Sequence, residues 1–174
     1  MKESFENALT GGHPNSLGNT VAVVETVLTD HARFEELFQC YFSEDEVVRL
    51  RVSNAMKRIC KTEKSLLIPY IDKLLNQIAQ IDQASTQWTL ANLFDFLSKD
   101  LSDSQKTKAQ TIMQNNLVNH TDWIVLNNSM ETLGKWAKKE VALKEWLISH
   151  LERLKNDTRK SVAKRADKWL DKLC

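Results

Sequence analysis

The chain has 174 residues, 42% of them hydrophobic and 27% charged, with a formal net charge of +1. That length can bury one domain's core, no apolar run approaches the ~18 residues of a membrane helix, and the first residues carry Glu3 and Glu6 where a secretory signal needs an apolar stretch. The expectation is a cytoplasmic protein with no membrane association. Cys40, Cys60 and Cys174 are odd in number and lack metal-ligand spacing, so they read as reduced thiols, the first two as small buried hydrophobes.

Glycine and proline total six residues, and three of them, Gly11, Gly12 and Pro14, fall in the first 14. Residues 1–14 are therefore read as a flexible tail and 15–174 as a single domain in which helix is permitted almost everywhere. A helix near 17–29, with Leu17, Val21, Val24 and Leu28 on one side, comes first. Then helices alternate in two kinds. First helices are predicted near 31–42, 65–81, 104–118 and 141–155, and second helices near 46–61, 84–100, 122–139 and 158–173. Ser43 with Glu46 and Ser102 with Gln105 have capping-box spacing. Pro69 lies within a first helix and should kink it or restart it.

The alternation is periodic. VVRLRVSNAMKRI, STQWTLANLFDFL, IVLNNSMETLGKW and SVAKRADKWLDKL align without gaps at offsets of 38, 39 and 37 residues. Val52, Leu90, Ser129 and Ala166 form one column, Met56, Phe94, Leu133 and Leu170 a second, and Ile59, Leu97, Trp136 and Leu173 a third. The first helices align as well, through Phe34, Ile71, Ala109 and Leu147 and through Phe38, Leu75, Met113 and Leu151. A period of this size marks stacked supersecondary units that bury their apolar faces on one another. The predicted fold is all-α, an α-solenoid of about four helix pairs with the 17–29 helix as an N-terminal cap.

Within this pattern the segment EDEVVRLRVSNAMKRI resembles the second helix of a HEAT repeat: Asp45, Val48, Arg49, Val52, Ala55 and Met56 hold the places of the acidic turn, the Val-Arg pair and the apolar residues that follow. The span from about 31 to 174 resembles an array of HEAT-like repeats, and the stretch from Asn15 through Leu75 is similar to small bacterial HEAT-repeat proteins. In such arrays the second helices line the concave side.

If Val48, Val52, Ala55, Met56 and Ile59 face inward, then at 100° per residue Leu50, Asn54, Lys57 and Lys61 face outward. Carried along the repeat, these outward columns give the candidate partner-binding residues Trp88, Asn92, Asn127, Glu131, Lys61, Lys99, Lys138, Lys164 and Lys168. Trp88 has no core-packing reason to sit outward, and the lysine row suits an acidic peptide or a phosphate backbone. Charge is also uneven, with 12 Lys/Arg against 17 Asp/Glu in residues 1–134 and 12 against 6 in residues 135–174.

Catalytic and metal chemistry find little support. His13, His31, His120 and His150 are scattered, and no Ser-His-Asp set, phosphate loop or CxxC pair is present. HEAT-like DNA glycosylases, the enzymatic alternative, pair a tryptophan with a carboxylate one helical turn later. Only Trp136 with Glu140 has that spacing, and Trp136 lies in an inward column. HEAT-like bilin lyases are a further alternative that no residue set singles out. The sequence therefore reads as a non-catalytic binding or scaffold module for a protein or peptide, with no cofactor or metal; nucleic acid is disfavoured because duplex binders are normally far more basic than +1.

Overall fold

The computed structural model describes residues 2–174; Met1, part of the expected tail, lies outside them. All regular structure among the described residues is helical. The α-helices are α1 Phe5–Leu9, α2 Thr20–Thr29, α3 Phe34–Gln39, α4 Glu46–Thr62, α5 Ile71–Asn76, α6 Ala84–Phe96, α7 Asp103–Asn119, α8 Trp123–Ala137, α9 Val141–Leu154 and α10 Lys160–Leu173. Single 3₁₀ turns at His31–Arg33, Cys40–Phe42, Lys64–Leu66, Ile68–Tyr70 and Ile78–Gln80 flank α3 and α5. None of these helices is long and apolar enough to cross a membrane. The chain divides into two compact units, Met1–Thr89 and Leu90–Cys174.

In the first unit α4 is the central element, with α1, α2, α3 and the turns Cys40–Phe42 and Lys64–Leu66 packed on it. Its 3.6-residue apolar stripe, Val48, Val52, Ala55, Met56 and Ile59, is fully buried. The helix starts where the sequence reading places it, at Glu46, but its cap is different. Asp45 is the N-cap, accepting the Val47 amide at 2.8 Å, while Ser43 Oγ accepts the Asp45 amide at 3.2 Å and so shapes the approach to the helix. Pro69 acts as predicted: it occupies a 3₁₀ turn, and α-helix resumes only at Ile71. Phe34, Phe38 and Tyr70 pack as an aromatic cluster, Tyr70 lying with ring centroids 4.9 and 4.7 Å from the two phenylalanines.

The first residues depart from a tail. Ser4 Oγ caps α1 by accepting the Asn7 amide, and Phe5 and Leu9, one helical turn apart, are buried. Glu36 accepts the Phe5 amide at 2.9 Å, and the Arg33 guanidinium lies 3.8 Å from the Phe5 ring centre. The loop that follows encloses Arg51, which is only 2% exposed. Its Nη1 donates to the carbonyls of Leu9 at 2.7 Å and Gly11 at 2.6 Å, its Nη2 to His13 at 3.3 Å and its Nε to Ser16 at 3.3 Å. Gly18, at φ +51°, approaches so closely that a Cβ there would lie 2.8 Å from the guanidinium carbon.

In the second unit α8 packs against α7, α9 and α10, and α9 also packs on α10. Ser102 and Gln105 form the expected capping box at the start of α7, and Asp122 caps α8 by accepting the amides of Ile124 and Val125. Leu143, Leu147, Leu151 and Leu154 give α9 a continuous buried stripe. α10 lays the Trp169 indole directly on Gly134 of α8, where a Cβ would lie 2.3 Å from the ring. Across both units every member of the sequence columns, from Val52 through Leu173 and from Phe34 through Leu151, is buried. Each is a full apolar side chain, Ser129 and the alanines excepted, worth about 1.5–3 kcal/mol when removed from water.

Candidate binding face of the second helices

On α8 most residues are buried, because three helices cover it; apart from Trp123 at its exposed first position, what remains is one stripe, Ile124, Asn128, Glu131, Lys135 and the C-cap Lys138, at steps of four and three. The matching stripe at the end of α6 and just beyond it is Asn92, Asp95 and Lys99, with the first two half-buried and Lys99 exposed. On α10 the exposed residues include Lys164, Lys168 and Lys172, each one turn from the next.

Ion pairs tie these stripes together. Lys135 Nζ on α8 lies 2.6 Å from Asp95 Oδ2 on α6. Glu131 on α8 receives three donors from α10: Arg165 Nη1 at 2.7 Å, Lys168 Nζ at 3.0 Å and Trp169 Nε1 at 3.0 Å. Burial alone would raise the Glu131 pKa; the bonds from Trp169, Lys168 and Arg165 outweigh it and hold the carboxyl at about 2. Trp169 in turn is only 1% exposed. Three ammonium groups crowd its ring, Lys172 at 4.9 Å from the centroid, Lys168 at 5.3 Å and Lys138 at 5.6 Å.

Of the residues expected from sequence, Glu131, Lys138 and Lys168 are brought together here, with Asn92 and Lys99 on the α6 stripe and Lys164 exposed one turn before Lys168. Asn127 is a correction. It is 5% exposed, its Nδ2 donates to Ser161 Oγ of α10 at 3.3 Å, and the arrival of α10 converts its outward column into an interface. Trp88, expected on the outward side, is half-buried in the first unit, and Lys61 is exposed on the last turn of α4. The residues that sequence reasoning passed over are Asp95, Lys135, Arg165 and Lys172. Their signal was there: Asp95 and Lys135 stand three and four residues after the outward Asn92 and Glu131, the spacing of neighbours on one helical face.

Elsewhere the groups weighed for chemistry are engaged in structure. Trp136 is 6% exposed, and Glu140 pairs with Lys106 at 2.8 Å, so this couple lines no open site. His150 stacks on Trp146 at 4.2 Å between centroids, and burial lowers its pKa. Among the described residues no group of three His, Cys, Asp or Glu side chains has metal-binding geometry. Cys40 and Cys60 are buried, and burial raises the Cys40 thiol to about 11. In the first unit a groove of about 830 Å³ runs between α1 and α2, with Phe5, Ala8, Ala22 and Val23 among its lining residues and Asp30 and Arg33 at its polar side.

No family model, curated protein or solved structure matches the chain. The assignment of a role rests on the geometry above.

Proposed function

We propose that the chain is a HEAT-like helical-repeat protein of the cytoplasm that works as a non-catalytic binding or scaffold module. In this reading α3/α4, α5/α6, α7/α8 and α9/α10 are successive pairs of an α-solenoid capped by α2, and the second helices offer their exposed stripes to a protein or peptide partner. One observation carries the reading. The stripes of α6, α8 and α10 in the second unit are joined by the pairs Asp95–Lys135 and Glu131–Lys168, which makes a continuous polar face with surplus lysine. A continuous face of fixed charges suits recognition of a chain laid across it, whereas catalysis needs acid and base groups converging on one reacting atom.

Photocrosslinking tests this directly. A benzophenone amino acid at Lys135, in the face, should trap a partner in cells. The same group at Val141, exposed on α9, should not. Equal or reversed capture would place the working surface elsewhere.

A further inference from the structure

Around Trp169 the charges do not balance. Lys138, Lys168 and Lys172 all hold their ammonium groups within 5.6 Å of one ring centre, so no two of them are far apart. Arg165 is bonded to the same carboxylate as Lys168. Against these four cations stands Glu131, already occupied by Arg165, Lys168 and the Trp169 N–H. Lys138 and Lys172 have no carboxylate within ion-pair distance among the described residues, and they sit at the C-terminal ends of two directly packed helices. Both positions favour the helix dipole, but the dipole does not require two ammonium groups to share one indole. Like charges held this close attract an external anion strongly.

Resting on the binding face proposed above, we propose that Lys138 and Lys172 receive two carboxylates from an extended acidic segment of a protein partner. Helices in contact lie about 8–10 Å apart, and an extended chain in the polyproline II conformation advances about 3.1 Å per residue with every third side chain on the same side, so acidic residues three apart match the two lysines. Lys99, four residues after the Asp95 that pairs with α8, is a further exposed lysine on the stripe of α6. The carboxylates Asp95 and Glu131 within the face favour a peptide over a nucleic acid. A phosphate backbone carries charge at every step and would meet them, while a peptide can place neutral residues there.

The test uses the full chain and a fluorescein-labelled peptide of Glu-Ser-Ser repeated four times, followed by fluorescence anisotropy. Comparison ligands are a peptide of the same composition with its glutamates in one block and a single-stranded oligonucleotide. The repeated peptide should bind saturably, and its affinity should fall at least about tenfold in a Lys138→Glu/Lys172→Glu variant and on raising salt from about 50 to about 300 mM. The double Arg variant should bind as the parent does, with thermal melting confirming that each variant is folded. Absence of saturable peptide binding, equal affinity of the Glu variant, equal binding of the block peptide, or tighter binding of the oligonucleotide would each overturn the proposal. If the Glu variant loses nothing while the Lys135 crosslink persists, the binding face stands and this assignment falls; if the crosslink also fails, both fall.

Discussion

Replacing Arg51 with Met should release the N-terminal residues without unfolding α4. Methionine retains most of the apolar stem and removes every donor. The two short bonds, 2.7 Å to Leu9 and 2.6 Å to Gly11, carry most of the interaction, the 3.3 Å contacts to His13 and Ser16 much less. Bonds from a charged donor contribute about 1.5–3 kcal/mol each, and removal of the charge also removes its desolvation cost, so a net loss of about 3 kcal/mol is expected. In a chain of this length that lowers the melting temperature by about 6–12 °C. The freed carbonyls of Gly11, His13 and Ser16 lie in an exposed loop and can turn to water, whereas that of Leu9, at the buried end of α1, loses its partner unless the segment opens, so the loss should appear first as local opening. Hydrogen exchange should then show the Phe5 amide, bonded to Glu36 in the parent, losing protection while amides in the middle of α4 keep theirs. Gly18→Ala should act in the same direction, since its Cβ would sit 2.8 Å from the guanidinium carbon at a φ of +51°. Unchanged melting together with an equally protected Phe5 amide in Arg51→Met would refute the view that this guanidinium holds the segment.

Because the Glu131 carboxyl is held at about 2, below its ordinary value, the unfolded chain takes up its proton first as pH falls. Its contribution, about 1–2 kcal/mol after solvent screening, is complete above pH 4.5 and lost between there and about 2; Glu131→Gln should flatten that part of a stability-against-pH curve, with Asp157, also held at about 2, accounting for part of the slope that remains. Gly134→Ala should destabilise by about 2–4 kcal/mol in denaturant titration despite the better helix propensity of alanine, because its Cβ would lie 2.3 Å from the Trp169 ring. Trp88→Ala, at a half-buried residue, should cost about 1–2 kcal/mol against about 3–5 for Trp136→Ala and Trp169→Ala, and equal losses at all three would refute the difference in burial. Ser102→Ala should cost about 1 kcal/mol by breaking the capping box with Gln105.

The helices were legible because burial on one side of a helix imposes a 3.6-residue spacing that survives in sequence. That is why Met56, Phe94, Leu133 and Leu170 could be aligned as one column and all prove buried. Cap chemistry was legible where both halves of a box are present, at Ser102 and Gln105, and misleading at Ser43, where Asp45 stands closer to the helix start and takes the cap. The N-terminal residues were opaque for a different reason. Gly11, Gly12 and Pro14 signal irregular backbone, and irregular backbone was read as unpacked backbone. Arg51 gave no warning, because its acceptors are main-chain carbonyls some forty residues away, which every residue possesses and no sequence advertises.

The site was half legible, and the boundary between the halves is physical. Periodicity fixes which side of a helix leaves its own pair's core, but not which other helix then comes to lie against that side. Asn127 and Glu131 stand one turn apart on the outward side of α8, and α10 treats them differently: Ser161 closes over Asn127, while Arg165, Lys168 and Trp169 reach only the carboxylate end of Glu131. An outward polar residue in a stack of helices is thus either consumed by its lateral neighbour or left to the solvent, and side-chain reach decides between them. The short Asn127 and Ser161 meet directly, and Asn127 is thereby removed from the surface while Ser161 stays exposed on the first turn of α10. Long Lys and Glu span the same gap with their heads at its rim, so the ion pairs that fasten one helix to the next also place the charge that a partner would meet.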